Sequence, residues 1–551
     1  MHDDELLGAA RAWLGQDPDA ETRDELTALI EDAAAGSASA RAQLRDRFGS
    51  RLDFGTAGLR GALGAGPNRM NRVLVAQAAA GLARFLLGRG GHPSVVIGYD
   101  GRKNSLVFAV DTAEIMAGAG VRAILLPRLL PTPVLAFAVR HLDASAGVMV
   151  TASHNPAADN GYKVYLGDAD AGSQIIPPVD AEIAAQIDLV AAHDISALPR
   201  STDYAIADEE AVDAYVAGTA DLAKAATTST AVKFVYTPMH GVGWETARRV
   251  FAAAGFAEPS VVRQQLEPDA TFPTVAFPNP EEPGALDLAF AEAAAVGADL
   301  VIAHDPDADR LAVAVPDANG WRRMSGNEVG LLLGWRAAAR NSTGTLACSI
   351  VSSPGLAVVA AAHGLDHVET LTGFKWISRA PGLVYGFEEA LGYLVDPDIV
   401  RDKDGISASV DLLALASELK AEGRSLADRA DDFAARFGAF ASSQISQRFT
   451  DLAEIPRVMN RLRSNPPGAI AGIAVDRIDD FAAGLDGFPP SDILRIRLAD
   501  GSRIVVRPSG TEPKLKVYID ASSTTGSAAE RRVAAEARVG TLDAAMRELL
   551  V

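Results

Sequence analysis

Between Asn71 and Thr151 an apolar helical run, VLVAQAAAGLARFLL, alternates with three short β-type runs, PSVVIGYD, VRAILLP and AGVMVT. Strands and helices that alternate in this way build parallel α/β layers, because two parallel strands need a crossover long enough to hold a helix. The pattern returns twice. A second α/β unit starts near Ile206 and contains VKFVYTPMHGVG and ADLVIAHDPDADRLAVAV, the latter a strand, a polar loop and another strand. A third starts near Trp321, with TLACSIVSS, HVETLTGFKWI and LVYGFEEALGY at strand ends. The last stretch, ILRIRLADGSRIVVRPSGTEPKLKVYIDAS, alternates with period two around an ADGS turn, which signals antiparallel strands. The first 50 residues are charged, Ala-rich and helical in spacing, and a Gly-rich loop, FGTAGLRGALGAGPNRMN, follows them. A chain of 551 residues exceeds one hydrophobic core. The expected fold class is therefore α/β: three similar α/β domains with mixed sheets plus a C-terminal α+β domain, around a central cleft. The expected boundaries are residues 1–205, 206–320, 321–440 and 441–551.

With 48% hydrophobic and 22% charged residues, and no unbroken apolar run of about 18 residues, the chain is expected to have no membrane partner. The acidic start, MHDDELLGAARAWLGQDP, lacks the basic and apolar regions of a secretory signal, so a cytoplasmic location is expected. The single cysteine, Cys348, excludes an internal disulfide and a thiolate-rich metal site, and TLACSIV reads as a buried strand thiol. A formal charge of −20 argues against nucleic acid, which needs a basic footprint. An anionic small molecule would then require particular arginines and lysines to be gathered against the field of the whole chain.

Three segments supply such chemistry. Thr151-Ala152-Ser153-His154-Asn155-Pro156 follows an apolar strand, which places Ser153 at a strand's C-terminal end, where open α/β sheets bind ligands. Taken alone, Ser153 reads as a turn cap. Ten residues on, Lys163 suits proton transfer if burial or neighbouring cations lower its pKa; alone it reads as a surface lysine. Asp305, Asp307 and Asp309 set three hard carboxylates between two strands, a ligand set for Mg²⁺ beside a phosphoryl group. An EF-hand is excluded, since the sixth position from Asp305 is Arg310, not Gly, and the twelfth is Pro316, not Glu. Arg507-Pro-Ser-Gly-Thr-Glu-Pro-Lys514 gathers a guanidinium, two hydroxyls and a glycine amide, a composition that encloses phosphate.

Together, from about Phe54 to Tyr518, these segments resemble the α-D-phosphohexomutase superfamily, with TASHNP like its phosphoserine loop, DPDADR like its metal loop, GFEEALGY like its sugar-binding loop and RPSGTEP like its phosphate-binding loop. FGTAGLRG, ETLTGFKWI and GFEEALGY look most like its phosphoglucomutase-2-type branch and bacterial phosphoglucomutase/phosphomannomutases. The resemblance implies that Ser153 carries the phosphoryl group and, with Asp305, Asp307 and Asp309, holds Mg²⁺. It places Arg60, Arg102, His154, Lys163 and Arg310 around the transfer site, with Lys163 as general acid/base and Arg102 among the substrate-binding residues. Lys375, Glu388 and Glu389 are implied to contact the sugar, and Arg507, Ser509, Gly510 and Thr511 the phosphate not being transferred. The implied reaction interconverts hexose 1-phosphate and hexose 6-phosphate of glucose and/or mannose, with hexose 1,6-bisphosphate as intermediate and activator, in a monomer or homodimer. Ala390 stands where the family commonly has Ser, which removes one expected hydroxyl contact to the sugar. The competing readings are a phosphopentomutase or sugar-bisphosphate synthase on the same scaffold, an enzyme with Asp305 as nucleophile, and a silent sugar-phosphate-binding protein.

Overall fold

Strand Ser94–Tyr99 is buried along its whole length and pairs in parallel with Arg122–Leu125 on one side and Ala146–Val150 on the other. Its continuous apolar run, SVVIGY, has no polar alternation because both faces of a central parallel strand are covered. Beyond Ala146–Val150 lies Asp159–Leu166, antiparallel to it, and beyond that Leu59–Ala62, also antiparallel, with Arg60 opposite Gly161. The computed structural model describes the chain apart from residues 1–2, 56–57, 225–231, 450, 452, 510–513 and 551.

The helix Arg72–Gly88 begins at Asn71, whose side-chain oxygen accepts from the Leu74 amide at 3.0 Å. The same side chain donates to the carbonyls of Gly64 and Gly66 at 2.9 and 2.8 Å, so one residue both caps the helix and anchors the Gly-rich loop. The helical spacing of the first 50 residues is realised in Asp3–Gln16, Ala20–Ala34 and Ala38–Phe48. Their apolar stripe, including Leu6, Trp13, Leu26, Ile30, Leu44 and Phe48, joins the core under the first sheet.

A second mixed sheet runs in the order Gly320–Arg323, Ala312–Asp317, Leu300–Ala303, Phe234–Thr237, Ser260–Val261. Leu300–Ala303 and Ala312–Asp317 are antiparallel, and the acidic loop is the connection between them. Both sheets belong to one compact unit, Met1–Arg323 with Gly392–Ser417.

The other unit comprises Met324–Leu391 and Glu418–Val551. In it Thr345–Ser349 lies in parallel between Asp366–Thr370 and Leu383–Glu388. A separate antiparallel sheet orders Ala439–Arg448, Lys514–Ser523, Arg503–Pro508, Leu494–Leu498, Ile473–Asp480 and Ala469–Ile470. The period-two pattern of the C-terminal stretch is this sheet, with Ile504, Val506, Leu515, Val517 and Ile519 turned to its core. Gly501, at φ 85°, makes the ADGS turn.

Candidate phosphoryl-transfer site

Ser153 stands three residues past the end of strand Ala146–Val150, in the left-handed region at φ 51°. For a serine that backbone conformation costs of order 1–2 kcal/mol, and such strain concentrates where a side chain must be aimed. Its amide donates to Thr151 Oγ1 at 2.9 Å, its hydroxyl donates to Asp305 Oδ2 at 2.8 Å, and His154 Nδ1 lies 3.2 Å from Ser153 Oγ. Burial, then the charges of Arg310 and Arg60, hold the His154 imidazole well below its ordinary pKa. The ring is therefore neutral near pH 7. Arg60 reaches the same loop through Asn155 Oδ1 at 3.3 Å.

Asp305, Asp307 and Asp309 are fully buried, and one oxygen from each lies within 4.8 Å of the others. Ala308 between them takes φ 54°, and Asp305 accepts from the Arg310 amide at 3.1 Å. Burial, then repulsion by Asp307 and Asp309, pushes the Asp305 carboxyl well above the carboxylate range. Asp307 and Asp309 go the other way: burial raises both, and the charge of Asp309 also raises Asp307, but Lys163 with the Thr132 hydroxyl at Asp307, and Lys163 with Lys403 and Arg310 at Asp309, together outweigh this. Asp307 Oδ1 and Asp309 Oδ1 are buried with no hydrogen-bond partner among the described residues. Unpartnered carboxylate oxygens are the hard donors a divalent cation of Mg²⁺ type takes, so the triad fits such an ion.

Lys163 Nζ donates to Asp307 Oδ2 at 2.7 Å and Asp309 Oδ2 at 2.9 Å. The condition set for it in proton transfer, as donor or acceptor, is a lowered pKa, and the shift here is the reverse. Burial pulls its pKa down, yet the two carboxylates outweigh that and leave it above the ordinary lysine value. Arg310, from the same loop, has Nε 3.9 Å from both Asp305 and Asp309. Arg102 is in contact with the Ser153 loop too, but its guanidinium faces backbone carbonyls, those of Ser153, Asn155, Pro156 and Asp159.

One cation at this site was not singled out from sequence. Lys403 Nζ lies 3.3 Å from Asp309 Oδ2. It is delivered by the segment Gly392–Ser417, which returns to the first unit from the second. Asp402 beside it accepts from Tyr165 at 2.9 Å and Gln174 at 2.6 Å, and Gly405 donates its amide to the Ala308 carbonyl at 3.2 Å. A Cβ at Gly405 would sit 2.3 Å from the Arg310 carbonyl, so only glycine permits this approach. The available signal was RDKDG, a dense charge cluster immediately before the apolar helix Gly405–Ala421. A charge cluster alone usually marks a solvated turn.

The second unit carries the other expected residues. Glu388 ends strand Leu383–Glu388, and the Glu389 carboxylate after it accepts from Ser349 and Ser352 at 3.2 and 3.1 Å. Lys375 sits in the short helix Phe374–Ile377. Arg507 is on strand Arg503–Pro508, opposite Lys516, and the Ser509 amide donates to the Lys514 carbonyl at 2.8 Å. Gly510 and Thr511 lie outside the described residues. Cys348 is fully buried in Thr345–Ser349, and burial pushes its thiol pKa far up, so it is an inert strand thiol as expected.

A strained serine aimed at a buried carboxylate triad, on two consecutive mixed sheets, defines a phosphoryl-transfer enzyme of the α/β class. The models "Phosphoglucomutase/phosphomannomutase, alpha/beta/alpha domain I", II and III match residues 51–193, 213–320 and 325–437, and the C-terminal domain of the same family matches 446–539. The chain belongs to the phosphoglucomutase/phosphomannomutase family. It is 57% identical to a Haemophilus influenzae protein named "Probable phosphomannomutase", over 84% of this chain and 96% of that one. It is 35% identical to a Homo sapiens protein named "Phosphopentomutase", over 94% and 91% of the two chains. Among solved structures, a phosphoglucomutase/phosphomannomutase family protein from Burkholderia thailandensis has the same fold, with a TM-score of 0.70 at 20% identity, over 91% of this chain and 97% of that one.

Proposed function

We propose that this chain is a phosphosugar mutase that interconverts hexose 1-phosphate and hexose 6-phosphate, of glucose and/or mannose, with Ser153 as the residue that carries the phosphoryl group. The observation that supports it most is the Ser153 hydroxyl at 2.8 Å from Asp305 in a buried cluster of three carboxylates and two lysines.

In this reading Asp305, Asp307 and Asp309 hold Mg²⁺. Bound there, the cation would supply charge stabilisation for the phosphoryl oxygens and offset the carboxylates' pull on nearby protons. The chain's own groups do the rest. His154, neutral near pH 7 and 3.2 Å from Ser153 Oγ, is placed to take or return the hydroxyl proton. Arg60, Arg310 and Lys403 offset the charge of the transferring group. Lys163, which Asp307 and Asp309 keep protonated, serves as the proton donor toward the sugar oxygen. Glu388 and Lys375 bind the sugar, and Arg507 with Ser509 binds the phosphate that stays on it. Glu389, engaged by Ser349 and Ser352, shapes the sugar loop. Hexose 1,6-bisphosphate is the intermediate that turns over between half-reactions.

A pentose substrate is the second reading, favoured by the "Phosphopentomutase" relative, which is aligned with 94% of this chain, and by Ala390 in the sugar loop. Coupled assays with glucose 1-phosphate, mannose 1-phosphate and ribose 1-phosphate, with Mg²⁺ and bisphosphate present, decide between them. A higher kcat/KM for either hexose supports the first reading; a higher value for ribose 1-phosphate replaces it with the second. Absence of turnover on all three would sink both.

A further inference from the structure

We propose that Arg102 is a positioning residue that sets the shape of the Ser153 loop, and not a ligand of the substrate. The proposal rests on the phosphoserine reading given above. Nη1 donates to the carbonyls of Pro156 at 2.7 Å and Asp159 at 3.1 Å, and Nη2 to those of Ser153 and Asn155, both at 2.6 Å. A guanidinium has four terminal N–H groups, and all four are committed to this loop. The remaining nitrogen, Nε, lies 3.5 Å from Asp100 Oδ2, itself buried. Nε makes no hydrogen bond, but it is buried beside that carboxylate, so no accessible donor is left to meet a phosphate.

The side chain is also out of reach of a ligand. Arg102 is 4% exposed, and the Phe272 ring lies with its centroid 5.0 Å from the guanidinium carbon. Asp100, in turn, is held by the Ser105 hydroxyl at 2.7 Å and the Arg102 amide at 3.0 Å, so the base of the arginine is fixed before its head meets the loop.

The loop needs such a centre. Four carbonyl oxygens converge on one point within seven residues, an arrangement that repels itself without a cation at the focus. One of the four is the carbonyl of Ser153, the residue held at φ 51°, and its bond to Arg102 helps offset the cost of that conformation. Another belongs to Asp159, the first residue of strand Asp159–Leu166, on which Lys163 stands. A single planar fork thus sets both the nucleophile's loop and the start of the lysine's strand. Lysine keeps the charge but lacks the fork, so it can satisfy only part of the set.

The test is steady-state kinetics on the full chain with hexose 1-phosphate, Mg²⁺ and bisphosphate, together with the rate and stoichiometry of label transfer from hexose 1,6-bisphosphate to Ser153. Wild-type turnover, measured first, is the separate check on the mutase reading. Arg102→Lys is expected to lower kcat about 100-fold, the scale of a displacement of about 1 Å at the reacting atoms, with KM within about threefold of wild type. The labelling rate should fall in parallel while the final labelled fraction stays near wild type. Phe272→Leu keeps the guanidinium and removes only the ring over it; its kcat should fall a few-fold with KM unchanged. The assignment is overturned by a KM raised about tenfold or more with kcat retained in either variant, by unchanged kinetics in Arg102→Lys, or by a labelled fraction reduced enough to account for the whole loss of kcat.

Discussion

The Ser153 hydroxyl donates to Asp305 Oδ2 at 2.8 Å across 152 positions of sequence, joining the loop of one sheet to the acidic loop of the next. Serine phosphomonoesters persist in water, whereas an acyl phosphate on Asp305 would hydrolyse readily and take a carboxylate from the triad. Incubation with labelled hexose 1,6-bisphosphate should place phosphate on the peptide that contains Ser153. The variant Ser153→Ala should lose that label and at least 10³-fold in kcat. Label on the Asp305 peptide would overturn the assignment of the nucleophile.

Asp307→Asn removes one of two anionic partners of Lys163 and one buried oxygen left for a cation. The apparent Mg²⁺ affinity, read from activity against metal concentration, should fall about tenfold or more, and wild type treated with chelator should be inactive until Mg²⁺ is restored. Full turnover in chelator would contradict the metal role of the triad.

Lys403→Met removes a cation 3.3 Å from Asp309 while filling similar space. Breaking a buried ion pair by removing one partner typically costs about 3–5 kcal/mol. Asp309 keeps Lys163 at 2.9 Å, so the stability loss should be smaller. The effect on kcat should be the larger one, tenfold or more, because Lys403 sits at the carboxylate cluster itself. A variant with normal kcat and a lowered melting temperature would limit Lys403 to structure.

Asp404 predicts a pH dependence of stability. Its carboxylate caps the helix Gly405–Ala421 by accepting from the amides of Ile406 and Ser407 at 3.0 Å each, and it accepts from the Tyr215 hydroxyl, yet burial still raises its pKa from 3.8 to about 6. The folded state therefore holds a proton that the unfolded chain releases between about pH 4 and 6. Stability from this group is fully present below about pH 4 and falls as pH rises to 6, by about 3 kcal/mol in all. Asp404→Asn does not titrate. Its melting temperature relative to wild type should become more favourable between pH 4.5 and pH 7.5, and a difference independent of pH would refute the shift.

Much of this protein was legible because its signals are local. The alternation of apolar helical and β-type runs became two mixed sheets around Ser94–Tyr99 and Leu300–Ala303, and the ADGS turn became an antiparallel hairpin, since period and turn chemistry report only near neighbours. Three alternating carboxylates between strands are an equally local pattern whose residue types already imply metal chemistry, whereas Ser153 at a strand end, alone a turn cap, took its phosphoryl role only from the resemblance of the segments together. Whether Ser153 meets Asp305, which way the Lys163 pKa moves, that Lys403 reaches Asp309, and that Arg102 is spent on carbonyls all depend on partners from 51 to 152 positions away. Spacing along a chain carries no information about such partners. Burial and charge at a point in space come from packing, and only the tertiary structure sets which cation faces which carboxylate and how much water is left between them.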